Sequence, residues 1–190
     1  TWSQSPTEDI YKSTKQVADM IRRHGGKQEL WIAEIGYSDF VRDDGSITSW
    51  TRIRAPFEKT RHFQAVTFIR SIGRILATND VSNILWYEIK NLRLDSVAIG
   101  EYNNYFLGAI DHDYFPKHLW FALSFTYNLF SDPFKTIDEK INIKGSSKEP
   151  FVHAFKRENG DVILLAWNRG VQNEFIEVEI PGIFSKAISY

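Results

Sequence analysis

Residues 30–37 read Leu-Trp-Ile-Ala-Glu-Ile-Gly-Tyr, and the class of fold follows from them. The first four form a short apolar run with the length and composition of a strand that is buried on both faces. A helix is predicted before this run, over residues 6–24, because apolar residues recur there at spacings of three and four. Gly25 and Gly26 then supply a left-handed stop. A strand of this kind behind a helix is typical of an α/β protein with parallel strands.

The same order continues along the chain. A second amphipathic helix is predicted from about residue 56 to 78, because its apolar residues keep the helical period. A second buried strand follows over residues 81–89, and a third helix is expected to start at Pro116. We therefore expect residues 1–132 to form two strand-and-helix units with parallel strands.

The period of the apolar residues changes to two after Asp132-Pro133. Strands are predicted over residues 151–156, 162–168 and 175–180, and Glu158-Asn159-Gly160-Asp161 is a strong hairpin signal. Residues 133–190 are therefore predicted to form a small antiparallel β domain.

Composition excludes several classes of function. The chain has 190 residues, 43% hydrophobic and 25% charged, with a net charge of -1, as in an ordinary globular protein. This charge provides no bulk field for nucleic acid or anionic lipid, so we expect neither nucleic acid nor membrane as a partner. The most apolar long stretch, residues 118–130, is shorter than the roughly 20 residues that span a bilayer. Cysteine is absent, which excludes disulfides and thiolate chemistry.

Glu34 is the strongest functional candidate because it stands where a predicted buried strand ends, and a carboxylate there is costly to desolvate unless it is paired or used. In parallel α/β folds the C-terminal ends of the strands carry the active site. Glu34, Trp86 and Glu88 would then converge on one rim. The alternative is a structural acid, paired with an arginine such as Arg52 or Arg54.

Three successive segments carry a family resemblance. Residues 29–37 resemble the strand-seven segment of clan A glycoside hydrolases, a group of barrel enzymes that includes cellulases, β-xylosidases and α-iduronidases. Residues 84–88 resemble strand eight, and residues 105–108 and 113–117 resemble the approach to the last barrel helix. The resemblance implies the C-terminal portion of a TIM (β/α)8 barrel, its last two βα units, followed by a small antiparallel β-sandwich accessory domain.

The resemblance also implies roles in a retaining glycosidase. Glu34 would be the nucleophile. Trp86 would form an apolar floor under the sugar, although a core tryptophan is the alternative. Tyr37 would hydrogen-bond near the nucleophile and Trp50 would stack at a neighbouring subsite, and loop packing is the alternative for both. Glu88 and Asn91 are candidates for contacts with sugar hydroxyls.

The chain departs from the family pattern in what it lacks. Segments resembling strands one to six are absent, and so is the Asn-Glu pair that carries the family's acid/base; Asn173-Glu174 falls in the predicted β domain. Ala33 stands where the family often has threonine, and His118 where it often has proline. We therefore expect the isolated chain to be inactive and the remainder of the barrel to be its partner, with a carbohydrate as substrate.

No cofactor or metal is expected, because glycoside hydrolysis needs none. Asp111, His112 and Asp113 form a polar loop whose neighbouring side chains diverge, so we expect it to be solvated and not to bind a metal. Two other functions stay open: a carbohydrate-binding protein without catalysis, and a structural α/β fragment. The sequence does not identify the sugar.

Overall fold

The chain is a mixed α/β protein that divides into two compact units, Thr1–Ser131 and Asp132–Tyr190. The computed structural model describes residues 7–37, 39, 57–91, 107–145, 151–167 and 176–182. Within these ranges, only the backbone is described at residues 7, 8, 57–60, 145 and 151. The sequence placed the boundary between its two predicted domains one residue later, between 132 and 133.

The first unit has the element order that the sequence predicts. Within the described residues its elements are α1 (Thr7–Arg23), β1 (Leu30–Ile35), α2 (Phe57–Ala77), β2 (Val81–Trp86) and α3 (His118–Leu129). β1 and β2 pair in parallel, as expected for strands joined through a helix. α1 ends where Gly25 adopts a φ of 74°, a conformation that glycine takes without steric cost. The predicted second strand is shorter than expected, since β2 ends at Trp86.

α1 is tied to the start of β2 by ion pairs. Asp80, just before β2, is buried, and its Oδ2 lies 2.9 Å from the ammonium of Lys15. Arg22 also pairs with the carboxylate of Asp80. The lysine and the arginine both come from α1, so one aspartate holds this helix at the N-terminal end of β2.

The apolar core of the first unit forms where α2 and α3 meet β2. α2 contributes Phe68 and Ile72, and α3 contributes Leu119, which is fully buried. Ile84 and Trp86 of β2 pack against the same core. One face of the β1–β2 sheet is therefore covered by helices.

The register between β1 and β2 contains a bulge close to the candidate nucleophile. Ile32 pairs with Ile84 and Ile35 pairs with Trp86, so three steps along β1 match two steps along β2. Ile32 and Ile35 thus keep the same face of the sheet even though they are three residues apart. The extra residue falls at Ala33 and Glu34, which are both exposed.

The other face of this sheet is apolar and exposed. Trp31, Leu85 and Tyr87 have relative exposures of 54%, 50% and 44%. We call these three side chains the open sheet face.

Among the helices of the described residues, none is long and apolar enough to cross a membrane.

The second unit is built from antiparallel strands. They are β3 (Phe134–Thr136), β4 (Asn142–Gly145), β5 (Phe151–Arg157), β6 (Val162–Trp167) and β7 (Ile176–Glu179). β5 pairs with both β3 and β6 in one sheet, and β4 pairs with β7 in another. The predicted hairpin turn is confirmed: Asp161 N donates to Asn159 Oδ1 over 2.9 Å, and Gly160 has a φ of 94°.

Candidate functional site

Glu34 lies at the C-terminal end of β1, in the bulge, with its side chain exposed. Within the described part of the chain, its carboxylate has no ion pair or hydrogen bond. Arg52 and Arg54, the partners that a structural role would use, lie outside the described residues. An exposed carboxylate at a strand end is accessible to a ligand.

Gly36 brings the ends of the two strands close together. A Cβ added at this residue would lie 2.3 Å from the carbonyl oxygen of Tyr87, so only glycine allows this approach. The N–H of Tyr87 donates to the carbonyl of Ile35 over 2.9 Å. The segment after Glu34 is thereby held against the residues that follow β2.

Tyr37 is fixed to α2 by two hydrogen bonds. Its hydroxyl lies 2.7 Å from Ser71 Oγ, and its carbonyl oxygen accepts a hydrogen bond of 2.6 Å from Gln64 Nε2. Burial raises the pKa of the Tyr37 hydroxyl, and the hydrogen bond with Ser71 opposes that rise. Tyr37 therefore lies close to the candidate nucleophile in sequence, with its hydroxyl turned to a helix.

Trp86 packs on the helix-covered face. Its ring meets Phe68 edge to face at 5.2 Å between centroids, and its indole Nε1 donates to the carbonyl of Leu107 over 3.0 Å. The ring of Tyr37 lies 6.1 Å away. These contacts are those of the core tryptophan that the sequence left open as the alternative. Tyr87, which directly follows β2, is an exposed aromatic residue of the open sheet face, and sequence reasoning missed it.

Glu88 and Asn91 have different surroundings. Glu88 is half-buried, and burial raises the pKa of its carboxyl while the positive charge of Lys117 opposes that rise. Asn91 is 2% exposed, and its Oδ1 accepts a hydrogen bond of 2.8 Å from Gly108 N. The asparagine side chain is thus engaged with the backbone. Trp50, the remaining predicted contact, lies outside the described residues.

A buried ion cluster lies behind these strand ends. Lys117, which precedes α3, places its ammonium 3.2 Å from Asp39 Oδ2, and both side chains are at most 1% exposed. Arg61 of α2 lies 3.6 Å from the same carboxylate oxygen and 3.2 Å from Asp111 Oδ2. The other oxygen of Asp111 accepts hydrogen bonds from the N–H groups of Asp113 and Phe115. Three segments distant in sequence, after β1, in α2 and before α3, are therefore joined by charge.

Burial acts against both charges of the central pair. It raises the pKa of the Asp39 carboxyl, and the ammonium of Lys117 opposes that rise. It lowers the pKa of the Lys117 ammonium, and the carboxylate of Asp39 opposes that fall. Each ion is costly to bury alone, so each depends on the other.

Sequence reasoning did not identify this cluster. Lys117 belongs to a segment that carries the family resemblance, and Asp111 was considered only as a metal ligand. Asp39 had no signal at all, because its partners are far away in the chain. Of these residues, Lys117 beside Pro116 had a signal in the sequence through that resemblance.

The loop at Asp111 is organised by hydrogen bonds and ion pairs. Asp111 accepts the two backbone hydrogen bonds already described, and His112 Nε2 lies 3.1 Å from Asp113 Oδ2. Across the described ranges, no three histidine, aspartate or glutamate side chains are grouped so as to hold a metal ion. The arrangement places the exposed carboxylate of Glu34 beside strand ends that are held by polar contacts.

Three of the solved structures to which the chain is similar are GH5_18 proteins. No protein-family model and no curated protein matches the chain. It is similar over 68% of its length to a GH5_18 glycoside hydrolase from Bifidobacterium longum subsp. longum, with 10% identity and a TM-score of 0.47. A variant of GH5_18 from the same organism, in complex with Manβ1-4GlcNAc, gives 10% identity and a TM-score of 0.46 over 68% of the chain.

The third neighbour is a GH5_18 variant from Streptomyces cattleya, also in complex with Manβ1-4GlcNAc. It is 13% identical over 68% of the chain, with a TM-score of 0.45. The chain spans 27% of the length of the two Bifidobacterium proteins and 28% of the Streptomyces protein. It is therefore partly similar in structure to GH5 glycoside hydrolases and spans about a quarter of their length.

Proposed function

We propose that this chain carries the nucleophile half of a retaining glycoside hydrolase site, with Glu34 as the attacking group. The observation that carries the proposal is the exposed Glu34 carboxylate at the C-terminal end of β1, in a bulge beside the end of β2. Active sites of parallel α/β barrels are built at this end of the strands. The resemblance of residues 29–37 to the nucleophile segment of clan A glycoside hydrolases supports the same role.

The reaction would follow the double displacement of retaining glycosidases. The Glu34 carboxylate attacks the anomeric carbon while a second carboxyl group, about 5–5.5 Å away, protonates the leaving oxygen. Water then cleaves the glycosyl ester with help from the same second group. We assign that acid/base to the remainder of the barrel, so the chain alone forms the ester only when the leaving group needs no protonation.

Substrate contacts are assigned according to exposure. Glu88 would accept a hydrogen bond from a sugar hydroxyl, and Tyr37, held by Ser71, would support the segment beside the nucleophile. Trp50 stays a proposed stacking residue. Tyr87, on the open sheet face, would offer the aromatic surface that we expected of Trp86. Trp86 and Asn91 would act indirectly, by holding the segment around Gly108.

Covalent trapping tests the nucleophile directly. The full chain is incubated with a panel of fluorinated dinitrophenyl glycosides, including glucosyl, xylosyl and mannosyl reagents, and its intact mass is measured before and after. We expect one sugar adduct, mapped to Glu34 by peptide sequencing. Glu34→Gln should abolish the adduct, whereas Glu29→Gln, which changes an exposed glutamate before the same strand, should leave it.

Two results would contradict the assignment. An adduct on another residue would move the nucleophile elsewhere, and a complete absence of adducts across the panel would remove the catalytic role. In the second case, binding of an oligosaccharide that survives Glu34→Gln would identify a carbohydrate-binding protein without catalysis. A change in stability alone would identify a structural fragment.

We further infer that residues 1–132 are the last two βα units of a (β/α)8 barrel, with residues 133–190 as a β-sandwich accessory domain. The open sheet face supports the first part, because in a closed barrel these side chains would lie in the packed interior. Sedimentation of the isolated chain should reveal self-association through this face. Leu85→Lys should reduce it, and an unchanged sedimentation profile would argue against the barrel assignment.

A further inference from the structure

We infer that the buried ion pair of Asp39 and Lys117 positions the nucleophile strand end, and that Lys117 is a positioning residue for Glu34. This inference rests on the proposed function, since it concerns the group that attacks the sugar. The pair joins the segment that follows β1 to the residue that precedes α3, over 3.2 Å. Neither side chain is more than 1% exposed, so neither ion of the pair is available to contact a substrate.

The segment between Glu34 and Asp39 is held from three directions. Gly36 packs against the carbonyl of Tyr87 after β2, and Tyr37 is hydrogen-bonded to α2 through Ser71 and Gln64. The Asp39–Lys117 pair supplies the third direction, from the start of α3. A chain fixed at residues 36, 37 and 39 has little freedom to move the carboxylate of Glu34, two residues before the first of them.

Arg61 connects this pair to the loop that leads to α3. It lies 3.6 Å from Asp39 and 3.2 Å from Asp111, and Asp111 in turn holds the N–H groups of Asp113 and Phe115. The backbone N–H of Lys117 also donates to the carbonyl of Ala109 over 2.9 Å. The position of the ammonium is thus determined by the loop after β2, so the two strand ends share one rigid support.

A structural role alone would not require the pair to be at this end of the strands. The first unit has a comparable arrangement at the opposite end, where Asp80 pairs with Lys15 and with Arg22. In each case an aspartate whose side chain is at most 4% exposed meets a lysine and an arginine, although the Lys15 side chain is 38% exposed and that of Lys117 is fully buried. The pair at Asp80 lies at the other end of the strands and provides the control.

The test compares two double variants in the full chain. Asp39→Leu with Lys117→Met removes both ions of the candidate pair, and Asp80→Leu with Lys15→Met removes both ions of the control pair. Replacing both partners by apolar residues leaves neither ion of the pair buried alone. Proteins often tolerate such a double replacement with little loss of stability. Urea unfolding establishes that both variants are folded before any other measurement.

The first readout is the kinetics of Glu34 labelling by the fluorinated glycoside that reacts fastest with the unaltered chain. We expect the Asp39→Leu/Lys117→Met variant to lower the inactivation rate constant by about tenfold to a hundredfold, because misplacement of a reacting group by an ångström costs this much. The affinity for the reagent should change much less. The control variant should change neither quantity, and equal rate constants in the two variants would overturn the inference.

The second readout does not depend on catalysis. The carboxyl carbon NMR signal of Glu34 is assigned with Glu34→Gln and followed in both double variants. We expect this signal to shift when the Asp39–Lys117 pair is removed and to stay in place when the Lys15–Asp80 pair is removed. If the unaltered chain is not labelled but the signal responds in this way, the proposed function fails and the positioning role stands. An unchanged signal overturns the positioning role itself.

Discussion

The carbonyl oxygen of Tyr87 lies 2.3 Å from the point where a Cβ of residue 36 would stand. Glycine at position 36 is therefore what allows the end of β1, with Glu34, to approach the end of β2. The closest atom is backbone, which is not free to rotate away as a side chain would. The close approach of the two strand ends therefore depends on the absence of a side chain at position 36, and this dependence can be tested.

Gly36→Ala should separate the two strand ends. We expect the free energy of unfolding to fall by about 1–3 kcal/mol, as for other substitutions that overpack a well-packed region. Labelling of Glu34 should slow at the same time. Ala33→Ser adds one atom at the exposed neighbouring position and should leave both urea unfolding and labelling unchanged. A Gly36→Ala protein of unaltered stability would show that the strand ends do not meet.

Trp86→Phe tests whether this tryptophan belongs to the core. The change removes the indole N–H that donates to Leu107, so we expect the free energy of unfolding to fall by about 1–3 kcal/mol. Trp31→Phe, at a side chain that is 54% exposed, should change it by less than about 0.5 kcal/mol. Urea unfolding monitored by circular dichroism measures both. Equal effects of the two substitutions would contradict the packing of Trp86 on Phe68.

Asn91→Ala tests whether the Asn91 side chain stabilises the fold or contacts the sugar. The substitution leaves the buried N–H of Gly108 without its acceptor, which costs about 1–3 kcal/mol of stability. We expect the affinity for the labelling reagent to be unchanged, since the side chain is 2% exposed. Asn83→Ala, at an exposed position of β2, is the matched control for stability. A large loss of affinity with normal stability would restore Asn91 as a substrate contact.

Glu88 should make the stability of the chain depend on pH. Burial raises the pKa of this carboxyl above its ordinary value of 4.5, so the folded state binds the proton more tightly than the unfolded state. The resulting stabilisation is fully present below pH 4.5 and is lost as the pH rises through the folded-state pKa. Glu88→Gln cannot titrate.

We therefore expect Glu88→Gln to gain stability relative to the unaltered chain as the pH rises from 4.5 through that window. Urea unfolding at a series of pH values measures this difference. Glu29→Gln, at an exposed glutamate, should show no such trend. If the stability of Glu88→Gln relative to the unaltered chain fell with increasing pH, the folded state would favour the ionised form of Glu88.

The elements of the first unit were predictable because each carries a local signal. α1, α2 and α3 follow from apolar periodicity, and Gly25 marks the end of α1 at a φ of 74°. The end of β2 was missed because the chain beyond Trp86 turns to new partners: Ala109 N donates to the carbonyl of Glu88, and Ile110 N to that of Ile89. β3 was missed because it has only three residues, too few to show alternation, and β4, with four residues, was missed as well.

The candidate site was predictable only where it is local. Glu34 stands out because an acid at the end of an apolar strand is unusual in itself. The face of Trp86 was not predictable, since it depends on how β2 registers with β1 and on which side the helices pack. The ion pair of Asp39 and Lys117 joins positions far apart in the chain, and no local sequence pattern predicts it.

The extra residue in β1 has a consequence for protein engineering. It acts as a frameshift in the alternation of the strand, so Ile32 and Ile35 both stay on the helix-covered face while the side chain at position 34 is exposed. Deleting Ala33 would cancel the frameshift: residue 34 would then follow Ile32 directly, and simple alternation would keep it on the face opposite to Ile32 and Ile35. The exposure of the side chain at position 34 is thus a property of the strand backbone and not of the glutamate. A histidine, serine or cysteine introduced at position 34 would be exposed at the same strand end, where it could act as a base or a nucleophile in place of the carboxylate.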